Sequence, residues 1–282
     1  MRLLVTGYNG QLGYDVVNEA HLRGIEADGV DIQEMDITDQ NQVNHVIKSG
    51  NYDAVIHCAA WTAVDKAEEM PKACYKVNVE GTQNIVNVCK ELNIPIMYFS
   101  TDYVFSGEGS EPWNEYDQRT PLNVYGQTKY EGELAVESYD KHFIIRIAWV
   151  FGKNGHNFIK TMLRLGKEKG AVSVVNDQIG SPTYTYDLAK LVIDMIQTDK
   201  YGTYHATNEG LCSWYEFACE IFKQANMKVD VTPVDSDAFP AKAKRPKNSR
   251  MNKNELDKNG FSRLPSWQDA LGRYLKEMET LS

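Results

Sequence analysis

The sequence predicts an α/β fold: a doubly wound (Rossmann-type) parallel sheet with a smaller, interleaved C-terminal region. Three observations carry that prediction. Short β-branched runs alternate with helical stretches through the first half of the chain. The runs are apolar throughout rather than alternating, as strands buried on both faces are. A glycine-rich turn stands between the first run and the first helical stretch.

Taken in order, Leu3–Thr6 reads as a strand and Gln11–Arg23 as a helix with Leu12, Val16 and Val17 on one side. Gln40–Lys48 is helix-like and leads to the strand Ala54–Cys58. Pro71 suits the first turn of one long helix running to Leu92, which Pro95 closes. Ile96–Ser100 is a strand, Tyr125–Ser138 a helix, and His142–Ile147 a strand. Right-handed crossovers between such units make the sheet parallel. Residues 1–150 form the NAD(P)-binding domain on this reading. Residues 151–282 are mainly a substrate-binding region whose boundary is interleaved. There the rhythm loosens: Ser173–Val175 and Thr203–Ala206 are short strands, Tyr186–Gln197 and Trp214–Gln224 helices, and Phe239–Pro246 a Pro- and Lys-rich loop.

Composition narrows the function classes. A net charge of −9 argues against a nucleic-acid surface. No apolar run is long enough to cross a membrane, and the N-terminus lacks the form of a signal peptide. Five cysteines without CxxC spacing fit reduced thiols in the cytoplasm better than disulfides or a zinc site. Only residues 242 to 253 break the acidic balance, with Lys242, Lys244, Arg245, Lys247, Arg250 and Lys253 and no acid between them.

The turn Gly7-Tyr8-Asn9-Gly10-Gln11-Leu12-Gly13 is Gly-x-x-Gly-x-x-Gly. Glycines there permit a tight turn and close approach of the backbone to a pyrophosphate. The helix N-terminus beyond it offers free N–H groups and positive potential to that anion. Gly7, Asn9, Gly10, Gln11, Leu12 and Gly13 are therefore cofactor-binding candidates. Asp31 falls near the end of the second strand, where a carboxylate accepts from a ribose hydroxyl and repels a 2′-phosphate. That leans towards NADH, while the irregular 30–39 segment leaves NADPH open. Ala59 and Ala60 follow the strand ending at Cys58, and small residues there let the backbone come close to the nicotinamide side.

Tyr-x-x-x-Lys places both side chains on one helix face, where the cation can lower the phenol pKa for proton transfer. The pattern occurs twice, at Tyr125/Lys129 and at Tyr186/Lys190. Context favours the first. Tyr125 opens a helix downstream of Ser100-Thr101-Asp102, at the end of a strand, where open α/β sheets place their ligands. A Thr101 hydroxyl there could meet Tyr125 over a substrate carbonyl. Tyr186 follows no such strand. His57 reads as a packed residue, and Asp102 as a bond to the local turn or an aid to substrate orientation.

Longer strings add to this: Ala59-Ala60-Trp61-Thr62-Ala63-Val64-Asp65-Lys66-Ala67-Glu68, Val77-Asn78, Ser100-Thr101-Asp102-Tyr103-Val104-Phe105, Arg146-Ile147-Ala148-Trp149-Val150-Phe151-Gly152, Asp177-Gln178-Ile179-Gly180-Ser181-Pro182-Thr183 and Arg245-Pro246-Lys247-Asn248-Ser249. With the glycine turn and the Tyr125–Lys129 string, they make nearly the whole chain resemble the extended short-chain dehydrogenases. Within these it is similar to the dTDP-4-dehydrorhamnose reductase family. The resemblance implies that Thr101, Tyr125 and Lys129 are catalytic, and that Tyr103 and Trp149 flank a sugar. It implies that Asp36 and Ile37 lie near the adenine, that Thr62 and Ala60 line the cofactor cleft, and that Asn78 supports the site. It further implies NADPH or NADH as cofactor and a dTDP-linked 4-keto-6-deoxy sugar as partner. The reaction would be reduction of a C4 ketone to dTDP-L-rhamnose, for cell-surface polysaccharide. Tyr103 stands where similar dehydratases carry a glutamate, so elimination chemistry is not expected.

Arg245 and Arg250 are candidates for the substrate diphosphate, since a guanidinium forks onto phosphate. Some members of the resembled family bind Mg²⁺ at a dimer interface. Asp15 falls where one such acid would be, but no acidic cluster near Tyr186-Asp187 completes a site. No metal is therefore expected, and a monomer and a homodimer are both compatible. A reductase of another nucleotide-linked 4-keto sugar, or a non-catalytic regulatory subunit on the same fold, are the alternatives.

Overall fold

The computed structural model describes residues 1–239 and 241–279, so Pro240 of the expected Phe239–Pro246 loop and residues 280–282 of the C-terminal region lie outside the described residues. Strand β1 (Arg2–Thr6) is followed by α1 (Gln11–Leu22), β2 (Glu26–Val30), α2 (Gln40–Ser49) and β3 (Ala54–His57). Two short helices, α3 (Val64–Glu69) and α4 (Pro71–Tyr75), lead through a π turn at Lys76–Gly81 into α5 (Thr82–Leu92). Then come β4 (Ile96–Thr101), α6 (Val124–Glu137) and β5 (His142–Ile147). The main sheet runs β2-β1-β3-β4-β5 and ends on a strand at Gly202–His205, every pair parallel. The chain thus departs from β1 to both sides, β2 on one and β3 on the other. Such a reversal opens a crevice beyond the carboxyl ends of the strands.

Local sequence explains the elements that shape that crevice. Helix α1 buries Leu12, Val16, Val17 and Ala20 against the sheet, at helical spacing. Asp39 caps α2 by accepting from the Asn41 and Gln42 amides. Asn123 caps α6 in the same way, accepting from Gly126 N at 2.8 Å, and Glu68 accepts from Val124 N at 2.8 Å. A side chain at Gly126 would collide with the Tyr103 carbonyl, so glycine lets α6 start against the loop after β4. On one face of the sheet Leu3, Val5 and Ile56 pack with α1 and the helix Thr185–Ile196. On the other Leu4 and Val55 pack with Val43 and Ile47 of α2 and with Ile85 and Val86 of α5.

Three local expectations change. The helix drawn unbroken from Pro71 to Leu92 carries a π turn, where Asn78 is drawn down to a loop and to α6 as described below. The strand assigned to Thr203–Ala206 in the smaller region is instead the edge of the main sheet, paired to β5, and the helix before it packs on α1. A two-residue strand at Thr183–Tyr184, paired with Val150–Phe151, immediately precedes the helix that carries Tyr186. A third cluster, with Phe151, Phe217, Trp267 and Tyr274, forms the core of the outer region.

Candidate active site

The carboxyl ends of β1, β3, β4 and β5 open into one cavity of about 830 Å³, at the upper end of the roughly 300–1,000 Å³ usual for ligand sites. Its walls contain Gly7, Gly10, Gln11, Leu12 and Gly13 at one end. Asp31, Asp36 and Ile37 lie beyond them, Ala59, Ala60 and Thr62 along one side, and Thr101, Tyr103, Tyr125, Lys129 and Trp149 at the far end. The sequence candidates that meet on this surface thus come from six separate segments.

The glycine end fits a dinucleotide pyrophosphate by a steric test. Gly7 has φ +68°, and a Cβ there would stand 2.7 Å from Ala59 N; a Cβ on Gly13 would stand 2.4 Å from the Gly7 carbonyl oxygen. A side chain is excluded at Gly7 and Gly13, so the turn can fold tightly beside Ala59 at the edge of the cleft. Asn9 is the one member of the turn's candidates that does not line the cavity. Its amide donates to Asp31 Oδ2 at 3.1 Å, and its carbonyl accepts from Asn154 Nδ2 at 2.8 Å. Asp31 also accepts from Ile32 N at 2.8 Å, so backbone bonds fix its carboxylate at the mouth.

At the other end Thr101 closes β4. Its hydroxyl donates to Asp102 Oδ1 at 2.9 Å and accepts from Tyr103 N at 3.2 Å. Burial pushes the Tyr125 phenol well above its ordinary range, and the neighbouring Thr101 hydroxyl pulls it back. Tyr125 therefore holds its proton at neutral pH. The Tyr103 and Tyr125 rings meet edge to face, with centroids 5.5 Å apart. One turn further along α6, Lys129 is buried with its ammonium 4.0 Å from the centre of the Tyr98 ring. Burial lowers its pKa to about 7, against the opposing pull of Glu133. Asp102 is buried too, and desolvation raises it to about 6 although Ser249 and Thr101 both donate to it.

Supporting residues fix this geometry. Asn78 Nδ2 donates to Thr128 Oγ1 at 3.0 Å and to the Trp61 carbonyl at 3.2 Å, while Asn78 Oδ1 accepts from Trp61 N at 2.8 Å. The π turn delivers this amide to both the 60s loop and the middle of α6. His57 is packed: its ring nitrogens pair with the hydroxyls of Thr6 and Thr82, and burial lowers its pKa to about 3.

Sequence reasoning missed Trp214 and His156, both on the cavity wall. Trp214 stacks on Trp149 with centroids 3.8 Å apart. Trp149 itself has φ +51°, a left-handed conformation uncommon for a bulky residue and typical of functional sites. Gly180 leaves room for that indole, since a Cβ there would stand 3.1 Å from the ring. The capping box Ser213–Glu216 announces a helix at Trp214, but nothing local says that its first residue turns back to the cleft.

Arg245 and Arg250 do not reach the wall of this cavity. Arg245 lines a second one of about 660 Å³ with Lys242, Lys244 and Lys247, and it forks onto Asp65 at 2.6 and 3.2 Å. Arg250 donates to Asn248 Oδ1 at 2.9 Å. Much of the basic run is paired in space: besides Arg245, Lys242 pairs with Glu69, Lys247 with Asp177 and Lys253 with Glu209. Asp15 accepts from the Thr185 hydroxyl, and burial raises it to about 6. Among the described residues no three His, Cys, Asp or Glu side chains group to hold a metal, and no helix is long and apolar enough to cross a membrane.

Comparison with known proteins follows the same outline. The pattern of the RmlD substrate binding domain matches residues 1–280. A dTDP-4-dehydrorhamnose reductase of Aggregatibacter actinomycetemcomitans is 40% identical over 96% of this chain and 97% of its own. A dTDP-4-keto-6-deoxy-D-glucose reductase of Streptomyces niveus is 36% identical over 96% and 95%. Among solved structures, the Bacillus anthracis dTDP-4-dehydrorhamnose reductase in complex with NADP superposes with TM-score 0.96 at 44% identity, covering 98% of this chain and 99% of its own.

Proposed function

The chain belongs to the RmlD substrate binding domain family, and on that premise we propose that it reduces the C4 ketone of dTDP-4-dehydro-L-rhamnose with NADPH or NADH. The product is dTDP-L-rhamnose, a precursor of cell-surface polysaccharide. One observation carries the reading. A single cavity is lined both by a glycine turn with no room for a Cβ at Gly7 or Gly13 and by a strand-end hydroxyl beside a proton-holding phenol.

The cofactor, when bound, supplies a hydride to the ketone carbon. The glycine turn, closed by the Gly10 amide donating to the Gly7 carbonyl at 3.0 Å, sets the N-terminus of α1 against its pyrophosphate. Ala59, Ala60 and Thr62 take the nicotinamide side, and Asp31, Asp36 and Ile37 the adenosine. Lys129 holds the ribose. Tyr125 gives its phenolic proton to the ketone oxygen as that oxygen gains charge. Its raised pKa suits the task, because a phenol still protonated at neutral pH is a ready donor to an alkoxide. Tyr103 and the Trp149–Trp214 pair enclose the sugar and exclude water. Arg245 is our candidate cation for the diphosphate on the strength of its charge beside Tyr103, and to take it the guanidinium would have to leave Asp65.

The experiment is turnover of dTDP-4-keto-6-deoxy-L-mannose with NADH and NADPH in parallel. Stoichiometric oxidation of the nicotinamide is expected. Tight cofactor binding with no oxidation would replace the reading with the regulatory one. The Streptomyces relative favours a second substrate, dTDP-4-keto-6-deoxy-D-glucose. Faster turnover of that sugar would shift the assignment to it.

A further inference from the structure

Lys129 is a buried cation with an uncommon neighbour. It lines the cavity at 2% exposure, yet among the described residues no carboxylate pairs with its ammonium. Glu133, one turn further along α6, is taken by Arg146 at 2.8 Å and by Arg119 at 2.7 Å. What stands against the ammonium is the face of the Tyr98 ring, with 4.0 Å from Nζ to the ring centre. Tyr98 is buried on β4, in register with His57 of β3, whose ring lies 5.8 Å away. Its hydroxyl donates to the Lys129 carbonyl at 3.3 Å. A Cβ at Gly132 would collide with that hydroxyl, so glycine there lets the ring lie beneath α6. One ring thus grips Lys129 twice, its backbone through the hydroxyl and its ammonium through the π face. Val136 and Ile144 belong to the same apolar cluster as the ring. Away from water a cation–π contact is at its strongest.

We propose that Tyr98 is a positioning residue whose π face holds the Lys129 ammonium, still charged, in place for the ribose of the bound cofactor. This inference rests on the reductase reading and deepens it, since it names what keeps a buried lysine cationic where no acid pairs with it. Of the groups that face Lys129, only the lysine itself changes charge between about pH 6 and 9. Burial raises Tyr98 and Tyr125, and likewise the Cys58 and Cys74 thiols. Burial lowers His57 to about 3, so its ring stays neutral. Burial also works against the Glu133 carboxylate, but Arg146 and Arg119 hold it ionised.

The test keeps the shape of the ring and drains its π face. Tyr98→Phe is compared with 3,4,5-trifluorophenylalanine at the same position, in the full-length chain. Two profiles are read for each across about pH 6 to 9. One is the Kd for NADPH by nicotinamide fluorescence, the other kcat/KM for dTDP-4-keto-6-deoxy-L-mannose. In the wild-type chain Kd should rise and kcat/KM fall above about pH 7, as Lys129 loses its proton. Tyr98→Phe should keep both midpoints within about 0.3 pH units, and the fluorinated ring should lower them by about one. Against Tyr98→Phe, that is a loss of kcat/KM of about tenfold at about pH 8, shrinking to about twofold at about pH 6. Equal losses at the two pH values, or midpoints that ignore the fluorines, would overturn the proposal, because a merely structural role is blind to the charge of Lys129. A wild-type Kd that stays flat across the range overturns it as well. If the fluorinated chain fails to fold, Tyr98→Leu takes its place: a loss that shrinks in the same way towards low pH supports the assignment, and one equal at both pH values overturns it. No turnover by the wild-type chain, with the Kd midpoints moving as stated, fells the reductase reading alone. Turnover with unmoved midpoints fells only the role of Tyr98.

Discussion

Tyr125–Lys129 and Tyr186–Lys190 share one spacing, both on helices, yet they sit in different physical worlds. The first pair opens α6 at the end of β4, with Lys129 2% exposed and its pKa pulled down to about 7. Tyr186 is 37% exposed, its helix follows a two-residue strand outside the main sheet, and Lys190 covers the outer face of its ring at 4.1 Å. Neither residue of the second pair lines the cavity. Spacing alone decides that two side chains share a face. Burial and the neighbouring strand end decide whether that face can do chemistry.

The largest expected contrast is in proton transfer. Tyr125→Phe should lower kcat by about 10²- to 10⁴-fold, while Tyr186→Phe leaves it within about twofold, both read from steady-state kinetics. A smaller contrast separates the lysines. Lys129→Met should lower kcat/KM by about tenfold to a hundredfold, and Lys190→Met should leave it within about twofold.

The pH dependence sharpens the same point. Lys129 loses its proton near pH 7, so kcat/KM of the wild-type chain should fall above about pH 7 and the Lys190→Met profile should keep that limb. Stability moves oppositely. Between about 7 and the ordinary 10.5 the unfolded chain binds a proton at this lysine that the folded chain does not, so its burial penalty is full below pH 7 and fades as pH rises. Lys129→Met should therefore stabilise the fold by roughly 1–4 kcal/mol at pH 6 and by little at pH 10, measured by denaturant unfolding. Lys190→Met, at the half-buried counterpart, should stay within about 0.5 kcal/mol at either pH.

The same divide explains what the sequence made legible. The glycine turn is local chemistry: three glycines, a strand before and a helix after suffice to place backbone at the cofactor end. Tyr125, Lys129 and Thr101 could be joined because the parallel-sheet rule says where strand ends meet. Features made by contacts distant in sequence were opaque. The acid-free stretch at Lys242–Lys253 reads as a positive patch, because its partners Glu69, Asp65, Asp177 and Glu209 come from elsewhere in the chain. Trp214 reads as a helix start, and only the fold stacks it on Trp149. The π turn at Lys76–Gly81 has no sequence signal beyond Asn78, whose amide bonds reach Trp61 and Thr128 in other segments. Ser249 entered only as the last residue of a resemblance string, and its bond to Asp102 was illegible because that partner follows a strand far away in the sequence.

The most direct test of the account is single-turnover oxidation of bound NADPH, followed by nicotinamide absorbance after mixing with dTDP-4-keto-6-deoxy-L-mannose, for wild type, Tyr125→Phe and Tyr186→Phe side by side. The account predicts one equivalent oxidised at matching rates by wild type and Tyr186→Phe, and a rate at least about a hundredfold lower for Tyr125→Phe. Oxidation by Tyr125→Phe as fast as by wild type, or none by wild type, would contradict it.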